Sequence, residues 1–413
     1  MNLAHRIELV PNKLQFQYLV NCAGCARFAY NWALSQWNEH WAFQKKLPQS
    51  ERKYISEQDL RKRLNAIKRT DYPFLMDVTK YAPQEAIKQL GTAFKNFFKG
   101  KARYPKYRKR YVDDRFTIGN DQVQVKGKKV RFPHIGWIKM REAIRFAGKV
   151  KTVSISREAD RWFISFCVEV DDHTCYFKQH AENQGEVTAV DVGAEVLATL
   201  SNGEKFENPK PLRKNLKKLK QLQKALARKK KGSKNRQRAK MRIAKLHRRI
   251  SNIRKDAMHK MTSSIADRFR MICVENLNVK GMMKNRRLAL SLADASFYEA
   301  KRQLTYKAKL RGGVVIEAPR FFASSKLCSC CNQKNEQLKL SDRSWVCQSC
   351  GTEHDRDINA AVNLRQYAVS YTVKASGEVS SGLVNPLTVA NDGKGHKVKL
   401  TSVKDETNLL NLS

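Results

Sequence analysis

Two Cys-x2-Cys pairs, Cys328/Cys331 and Cys347/Cys350, flank a short strand-like stretch from Leu338 to Val346. That spacing is the one used by a zinc ribbon, in which four thiolates close a tetrahedral Zn²⁺ site and leave no open coordination position. It predicts a metal-braced module over residues 325–353. Directly after the second pair comes Gly351-Thr-Glu-His354-Asp355-Arg356-Asp357-Ile-Asn359-Ala-Ala, where Asp357 stands at the start of a helical pattern. An acid so close to a fixed module can be held against distant segments of the chain. Cys330 lies inside the first knuckle; its adjacency to Cys331 is wrong for a chelating pair, yet it is the thiol placed to compete for the metal.

The charge then narrows the partners. Across 413 residues, 81 Lys and Arg face 38 Asp and Glu, a formal net charge of +43. Such a field destabilises a compact chain unless a polyanion neutralises it, and nucleic acid is the polyanion expected. No basic amphipathic stretch pairs its charges with a lipid-seeking face, so a membrane partner is not expected. The opening Met1-Asn-Leu-Ala-His-Arg-Ile-Glu has no apolar signal region, which predicts a protein kept in the cytoplasm with the nucleoid. The cysteines outside the ribbon, Cys22, Cys25, Cys167, Cys175 and Cys273, sit in mostly apolar surroundings and read as reduced thiols.

Residues 5–10 alternate like an edge strand; Pro11-Asn12 then opens a helix over about Lys13 to Phe43. Phe28, Trp32, Trp37 and Trp41 recur on it at near-helical spacing, a stripe expected in the core. Helical periodicity continues over 57–67 and 83–98, with Ile87, Leu90, Ala93, Phe94 and Phe97 on one face. Basic and aromatic residues then interleave through Arg103, Tyr104, Lys106, Tyr107, Arg108, Lys109 and Arg110, a composition suited to pairing phosphates and stacking on bases. Short alternating segments from Arg115 to Val170 predict a small β-barrel of residues 1–12 and 112–183, interrupted by helices over 13–111.

Between residues 213 and 255 stand 20 Lys or Arg and no acid. Leu212, Leu216, Leu219, Leu222 and Leu226 keep a helical spacing, Lys231-Gly-Ser233 breaks it, and Ile243, Leu246, Ile250 and Ile253 resume it. The pattern predicts an antiparallel helical hairpin over 212–261 that faces an external polyanion, because no acid at i,i+4 relieves the lysines. Residues 368–413 lack periodicity and are expected to be a flexible tail with no assigned function.

Three acids carry the chemistry. Glu186-Val-Thr-Ala-Val-Asp191-Val-Gly193 and Met271-Ile-Cys-Val-Glu275 are apolar strands, each holding an acid that is costly to desolvate without a cation or hydrogen bonds. Taken singly, Asp191 reads as a turn residue and Asp357 as a helix cap. Together with Glu275 they form a set that a divalent metal explains, and two Mg²⁺ ions so held would hydrolyse a phosphodiester. Strand-borne Asp, strand-borne Glu, then helix-borne Asp is the order of a ribonuclease-H-like core, expected over 184–324 and 354–367 with the ribbon inserted.

The ordered set of Ala189-Val-Asp191-Val-Gly193, Val274-Glu275-Asn276-Leu277, the four ribbon cysteines and His354-Asp-Arg356-Asp357-x-Asn359-Ala-Ala resembles the TnpB family, similar to the RuvC nuclease and to type V CRISPR effectors. The resemblance runs from Pro11-Asn-Lys to about Leu364. It implies an α/β multidomain protein with a RuvC-like core, a wedge-type N-terminal barrel and a helical recognition region. It also implies an RNA-guided DNA endonuclease, using a guide RNA from the transposon end and cutting double-stranded DNA beside a short adjacent motif. By it, Asp191, Glu275 and Asp357 hold Mg²⁺, with Asp355 the rival for the third place; Cys328, Cys331, Cys347 and Cys350 hold Zn²⁺; Lys80 and Gln84 lie where the adjacent motif is read. A transposase that joins DNA ends and a non-catalytic nucleic-acid-binding regulator are the alternatives.

Overall fold

A computed structural model describes residues 1–171, 186–286, 288–339 and 341–376, with side chains described to residue 371. The chain divides into two compact units, residues 1–174 and 175–413.

In the first unit, β1 (Asn2–Val10) is followed by α1 (Lys13–Gln44), α2 (Glu57–Ile67) and α3 (Tyr81–Phe98). Six strands come next: β2 (Arg115–Gly119), β3 (Gln124–Lys126), β4 (Lys129–Phe132), β5 (Gly136–Met140), β6 (Lys149–Glu158) and β7 (Arg161–Glu169). All seven join one antiparallel sheet in the order β2-β6-β7-β1-β5-β4-β3, so the helices are an insertion between its first two strands in sequence. Alternation explains the pairing. Leu3, Ile7 and Leu9 of β1 turn to the same buried face as Trp162, Ile164, Phe166 and Val168 of β7, with Ile7 opposite Ile164. Each such side chain contributes roughly 1.5–3 kcal/mol when fully buried. The stretch 172–183, grouped with these strands from the sequence, lies outside the described residues.

Helix α1 starts on a capping box in which the Asn12 side chain and Gln15 exchange hydrogen bonds with each other's backbone N–H. Its deepest face differs from the expected one. Its buried residues include Leu19, Cys22, Ala23, Ala26, Ala29, Ala33 and Leu34 together with Tyr18 and Tyr30, whereas Phe28, Trp32, Trp37 and Trp41 are only half-buried. Small residues let α1 approach α3 closely, and the wide aromatic rings fall on the flank, where Trp37 stacks on Phe94 at 4.0 Å.

The second unit holds β8 (Glu186–Asp191), β9 (Val196–Leu200), β10 (Lys205–Glu207), α4 (Pro211–Ala227), α5 (Lys234–Arg268), β11 (Phe269–Glu275), α6 (Val279–Met282), α7 (Ala289–Ala295), α8 (Phe297–Lys309), β12 (Val314–Ala318), β13 (Ser344–Val346), β14 (Glu353–Asp355) and α9 (Arg356–Ser376). Five strands form a sheet in the order β10-β9-β8-β11-β12; β8, β11 and β12 are parallel, β9 runs antiparallel to β8, and β10 pairs antiparallel with β9. Gly193 makes the tight turn after β8, since a Cβ there would lie 2.7 Å from the Val196 carbonyl oxygen. One face packs Val190, Ile272 and Val274 against Met258, Met261 and Ile265 of α5 and Leu304 and Ala308 of α8. The other packs Ala189, Cys273, Ile316 and Ala318 against Leu364 and Ala368 of α9.

Helices α4 and α5 form the basic hairpin around Leu219, Leu246 and Ile250, and α5 runs on to Arg268, past the expected end at 261. Both ends of α4 are capped from outside. Asp294 of α7 accepts from the Leu212 and Arg213 N–H groups at 3.0 Å each, and Arg236 donates to the carbonyls of Leu226 and Lys229. Those contacts place charge where the helix dipole favours it. No described helix is long and apolar enough to cross a membrane.

Candidate carboxylate and thiol sites

The period of two in a strand decides where the first two acids point. Ala189 of β8 and Cys273 of β11 face α9, so Asp191 and Glu275, two residues on, face it as well. Register decides that they meet. Val190 pairs with Val274 across the parallel strands, which puts Asp191 and Glu275 next to each other at the carboxyl ends of both. Neighbouring strands lie only about 4.8 Å apart.

The third acid comes with α9. Its first turn is capped by Asp355, whose Oδ1 accepts from the Asp357 N–H at 3.0 Å and the Ile358 N–H at 3.1 Å. Asp355 Oδ2 also accepts from Lys205 Nζ at 2.7 Å. Burial works against its ionisation, but Lys205 and the two backbone donors hold its carboxyl below the usual range. The cap duty expected of Asp357 is therefore met by Asp355. Among the described residues, the Asp357 carboxylate forms looser ion pairs, at 3.5 Å with Arg356 and 3.8 Å with Arg343.

Asp191 feels both partners. Burial first, then the charge of Glu275, then that of Asp357 push its carboxyl up to about 8. The three acids are electrostatic neighbours, yet they do not form a closed ligand set. Among the described residues, only the four ribbon cysteines bring three or more ligand atoms all within 4.8 Å of one another. Glu275 is also held by Ser324, whose hydroxyl donates to Oε1 at 2.6 Å. The donor set suits Mg²⁺: hard carboxylate oxygens whose mutual repulsion a divalent cation relieves.

The thiols do close. Cys328 and Cys350 Sγ are 3.6 Å apart, as are Cys331 and Cys347. A tetrahedral centre with Zn–S bonds of about 2.3 Å puts its sulfurs roughly 3.8 Å apart, whereas a disulfide needs about 2.05 Å. These four side chains fit Zn²⁺. Cys330 is exposed and outside the group. His354 Nε2 lies 3.0 Å from Cys328 Sγ, and its ring packs on Trp345 at 4.8 Å, so a histidine of β14 supports the first thiol.

Sequence reasoning passed over Ser324, Asn359 and Asn363 as working residues. A detectable signal existed in the asparagines, which are poor helix interior residues placed four apart in an alanine-rich helix.

In the first unit, Lys80, Arg103, Tyr104, Lys106, Tyr107, Lys109 and Arg110 are exposed and Gln84 is half-buried. Arg108 departs from the expected strip. It is 9% exposed, lies over the Tyr30 ring of α1 at 3.8 Å and donates to Gln89 Oε1 of α3 at 2.7 Å, so its guanidinium sits between the two helices. Tyr104 likewise spends its hydroxyl on Asn38 Oδ1 at 2.6 Å and its ring on Phe94 and Phe97.

Residues 165–286, which include Asp191 and Glu275, match the OrfB_IS605 family profile, described as a probable transposase. Residues 297–364, which include the four cysteines and Asp357, match the Cas12f1-like TNB domain. Residues 1–46, here one strand and one long helix, match the helix-turn-helix domain profile of the OrfB_IS605 set. A protein of Streptomyces pristinaespiralis carrying the name "Putative RNA-guided DNA endonuclease" is 33% identical over 371 residues, 87% of this chain and 88% of its own. One from Escherichia coli K12, given the same name with the suffix InsQ, is 32% identical over 397 residues, 92% of this chain and 95% of its own. A solved Cas12f1–sgRNA–target DNA complex aligns over 88% of this chain and 99% of that chain, at 15% identity and a TM-score of 0.33.

Proposed function

The chain belongs to the TnpB family of transposon-encoded proteins, and on that premise we propose that it is an RNA-guided DNA endonuclease whose cleavage chemistry rests on Asp191, Glu275 and Asp357. The observation that carries the reading is the pair of acids at the carboxyl ends of two adjacent parallel strands, on the face covered by the helix that bears the third. The strand order β10-β9-β8-β11-β12, with the antiparallel pairings on one side of β8 and the parallel ones on the other, supports a ribonuclease-H-like core. Two divalent cations held by these carboxylates would activate a water and stabilise the leaving oxygen of a phosphodiester. Burial and the neighbouring acids raise the Asp191 carboxyl, a penalty that a divalent cation would relieve, while Asp355, committed to the helix cap and Lys205, is left out of the proposed set.

The ribbon is structural in this reading, as four thiolates leave no vacant position for a reactant. Base pairing by a guide RNA from the transposon end selects the DNA, while the +43 charge draws in both backbones. Lys80 and Gln84 are the residues proposed to meet the adjacent motif, and the exposed members of the strip from Arg103 to Arg110 the phosphates.

Substituting Asp191→Ala tests the assignment. Guide RNA co-purifying with the protein should remain bound, while cleavage of a matched duplex falls on the order of 10³-fold, the scale of losing several kcal/mol of metal-borne stabilisation. Wild-type cleavage by the variant removes Asp191 from the mechanism. Joined DNA ends among the products would favour a transposase instead.

A further inference from the structure

Ser324 meets Glu275 in a buried setting. The hydroxyl is 4% exposed as part of its residue, and its 2.6 Å contact with Oε1 has the length of a charge-assisted hydrogen bond. A neutral donor fixes one carboxylate oxygen without cancelling the charge, as an ammonium or guanidinium would. Asp191 stands on the neighbouring strand, one register step past the Val190–Val274 pair.

What places Ser324 is the neck of the thiol module. Its carbonyl accepts from Asn363 Nδ2 at 2.7 Å, and the same amide donates to the Leu327 carbonyl at 2.7 Å. One turn earlier on α9, Asn359 Nδ2 donates to the Leu327 carbonyl at 2.7 Å and its Oδ1 accepts from the Ser329 N–H at 2.9 Å. Gln366 Nε2 adds a bond to the Ser329 carbonyl at 2.9 Å. These three residues form one stripe of the helix, and the two asparagines are each 2% exposed. The backbone they grip runs straight into Cys328, the most buried of the four thiols. A buried polar network satisfied this fully fixes one geometry.

We propose that Ser324 is a positioning residue for Glu275, aimed by the thiol module through the asparagine stripe of α9, and that it sets which carboxylate oxygen Glu275 turns toward a divalent cation. The inference rests on the reading of Glu275 as a metal-holding acid. It gives the ribbon a task beyond folding itself: one helix carries Asp357 at its start and grips, through its next two turns, the segment that orients Glu275.

The test uses the full-length protein loaded with zinc, with Mn²⁺ as the probe for the carboxylate site. Ser324→Ala should keep its zinc and its affinity for guide RNA, while Mn²⁺ affinity drops roughly 10-fold to 100-fold, the range for loss of a supporting hydrogen bond. Single-turnover cleavage at subsaturating Mn²⁺ should fall in step and recover at high Mn²⁺. Ser324→Thr, which restores the hydroxyl, should bind Mn²⁺ as the wild type does. Unchanged Mn²⁺ affinity in Ser324→Ala overturns the proposal. So does a Ser324→Thr protein as weak as Ser324→Ala, and this arm decides the matter if the alanine variant loses zinc. Asp191→Ala, measured alongside, separates the premises: if it cleaves and binds Mn²⁺ like the wild type, the carboxylate reading itself fails, whereas a defective Asp191→Ala beside a normal Ser324→Ala sinks only the role of Ser324.

Discussion

The thiol cluster and the carboxylate cluster lie within one unit and have opposite characters. Four cysteines stand with sulfurs 3.6 Å apart in pairs, a spacing that fits a tetrahedral zinc centre. Three acids face one another without closing to that degree. Donor chemistry differs between them: four polarisable sulfurs suit zinc, whereas carboxylate oxygens brought together away from water repel one another when ionised. Distance along the chain adds to it. The ribbon is written in one short segment, while Asp191, Glu275 and Asp357 arrive on two strands and a helix from separate parts of the chain. A site of neighbouring cysteines can be finished locally; one whose acids come from three separate elements waits on strand register and the packing of α9.

The contrast breaks most violently at the thiols. Cys347→Ser removes a ligand from a site whose metal supplies about 10–16 kcal/mol in small zinc modules. Zinc should be lost, proteolysis should open residues 325–353, and cleavage should disappear, because the neck that orients Glu275 and adjoins Asp357 loses its anchor. Limited proteolysis with mass spectrometry and a cleavage assay check this; a zinc-free variant with full cleavage would sever the two clusters.

Next in size is a pair of substitutions at the start of α9. Asp357→Asn should lower cleavage on the order of 10³-fold with no loss of thermal stability. Asp355→Ala should cost about 1 kcal/mol from the lost cap and spare most of the rate. Reversed outcomes would exchange the roles of the two acids.

A smaller effect sharpens the electrostatic side. Burial, Glu275 and Asp357 lift the Asp191 carboxyl to about 8, so the folded chain holds a proton that the unfolded chain releases in the ordinary carboxylate range. This contribution to stability is complete below about pH 4 and is lost as pH rises toward 8, at up to about 1.4 kcal/mol per unit. In magnesium-free buffer, urea midpoints of the wild type should therefore fall with pH relative to Asp191→Asn, and added Mg²⁺ should shrink the gap. Parallel pH profiles for the two proteins would show that the acids are not coupled. The smallest change expected is at Cys330, exposed and outside the thiol group: Cys330→Ser should leave zinc content and cleavage unaltered.

Much of this was legible in the residues. The Cys-x2-Cys spacing marks the ribbon, leucines at helical spacing mark the hairpin, and single acids inside apolar strands mark Asp191 and Glu275. Between Asp355 and Asp357 the Asp-x-Asn element already favoured Asp357; what the sequence did not show is that Asp355 caps α9 through the Asp357 and Ile358 N–H groups. Arg108, one basic residue in a basic strip, looked like its neighbours; only packing between α1 and α3 turned it inward over Tyr30. On α1 the aromatic stripe pointed to the core, but its four rings are half-buried, and the fully buried positions go to small residues, leucines and the tyrosines Tyr18 and Tyr30.

By itself, the sequence determined composition-borne properties and short-range ones: the +43 charge, the ribbon, the amphipathic helices, and which strands carry acids. Tertiary structure decided the register that sets Asp191 beside Glu275, the face both acids share, the partner each acid takes, and the grip of Asn359 and Asn363 on the neck that carries Ser324. The reason is one of range. Spacing and periodicity are fixed by bonds a few residues long, whereas the partner of a buried polar group is settled only when the whole core has chosen what lies within hydrogen-bond reach.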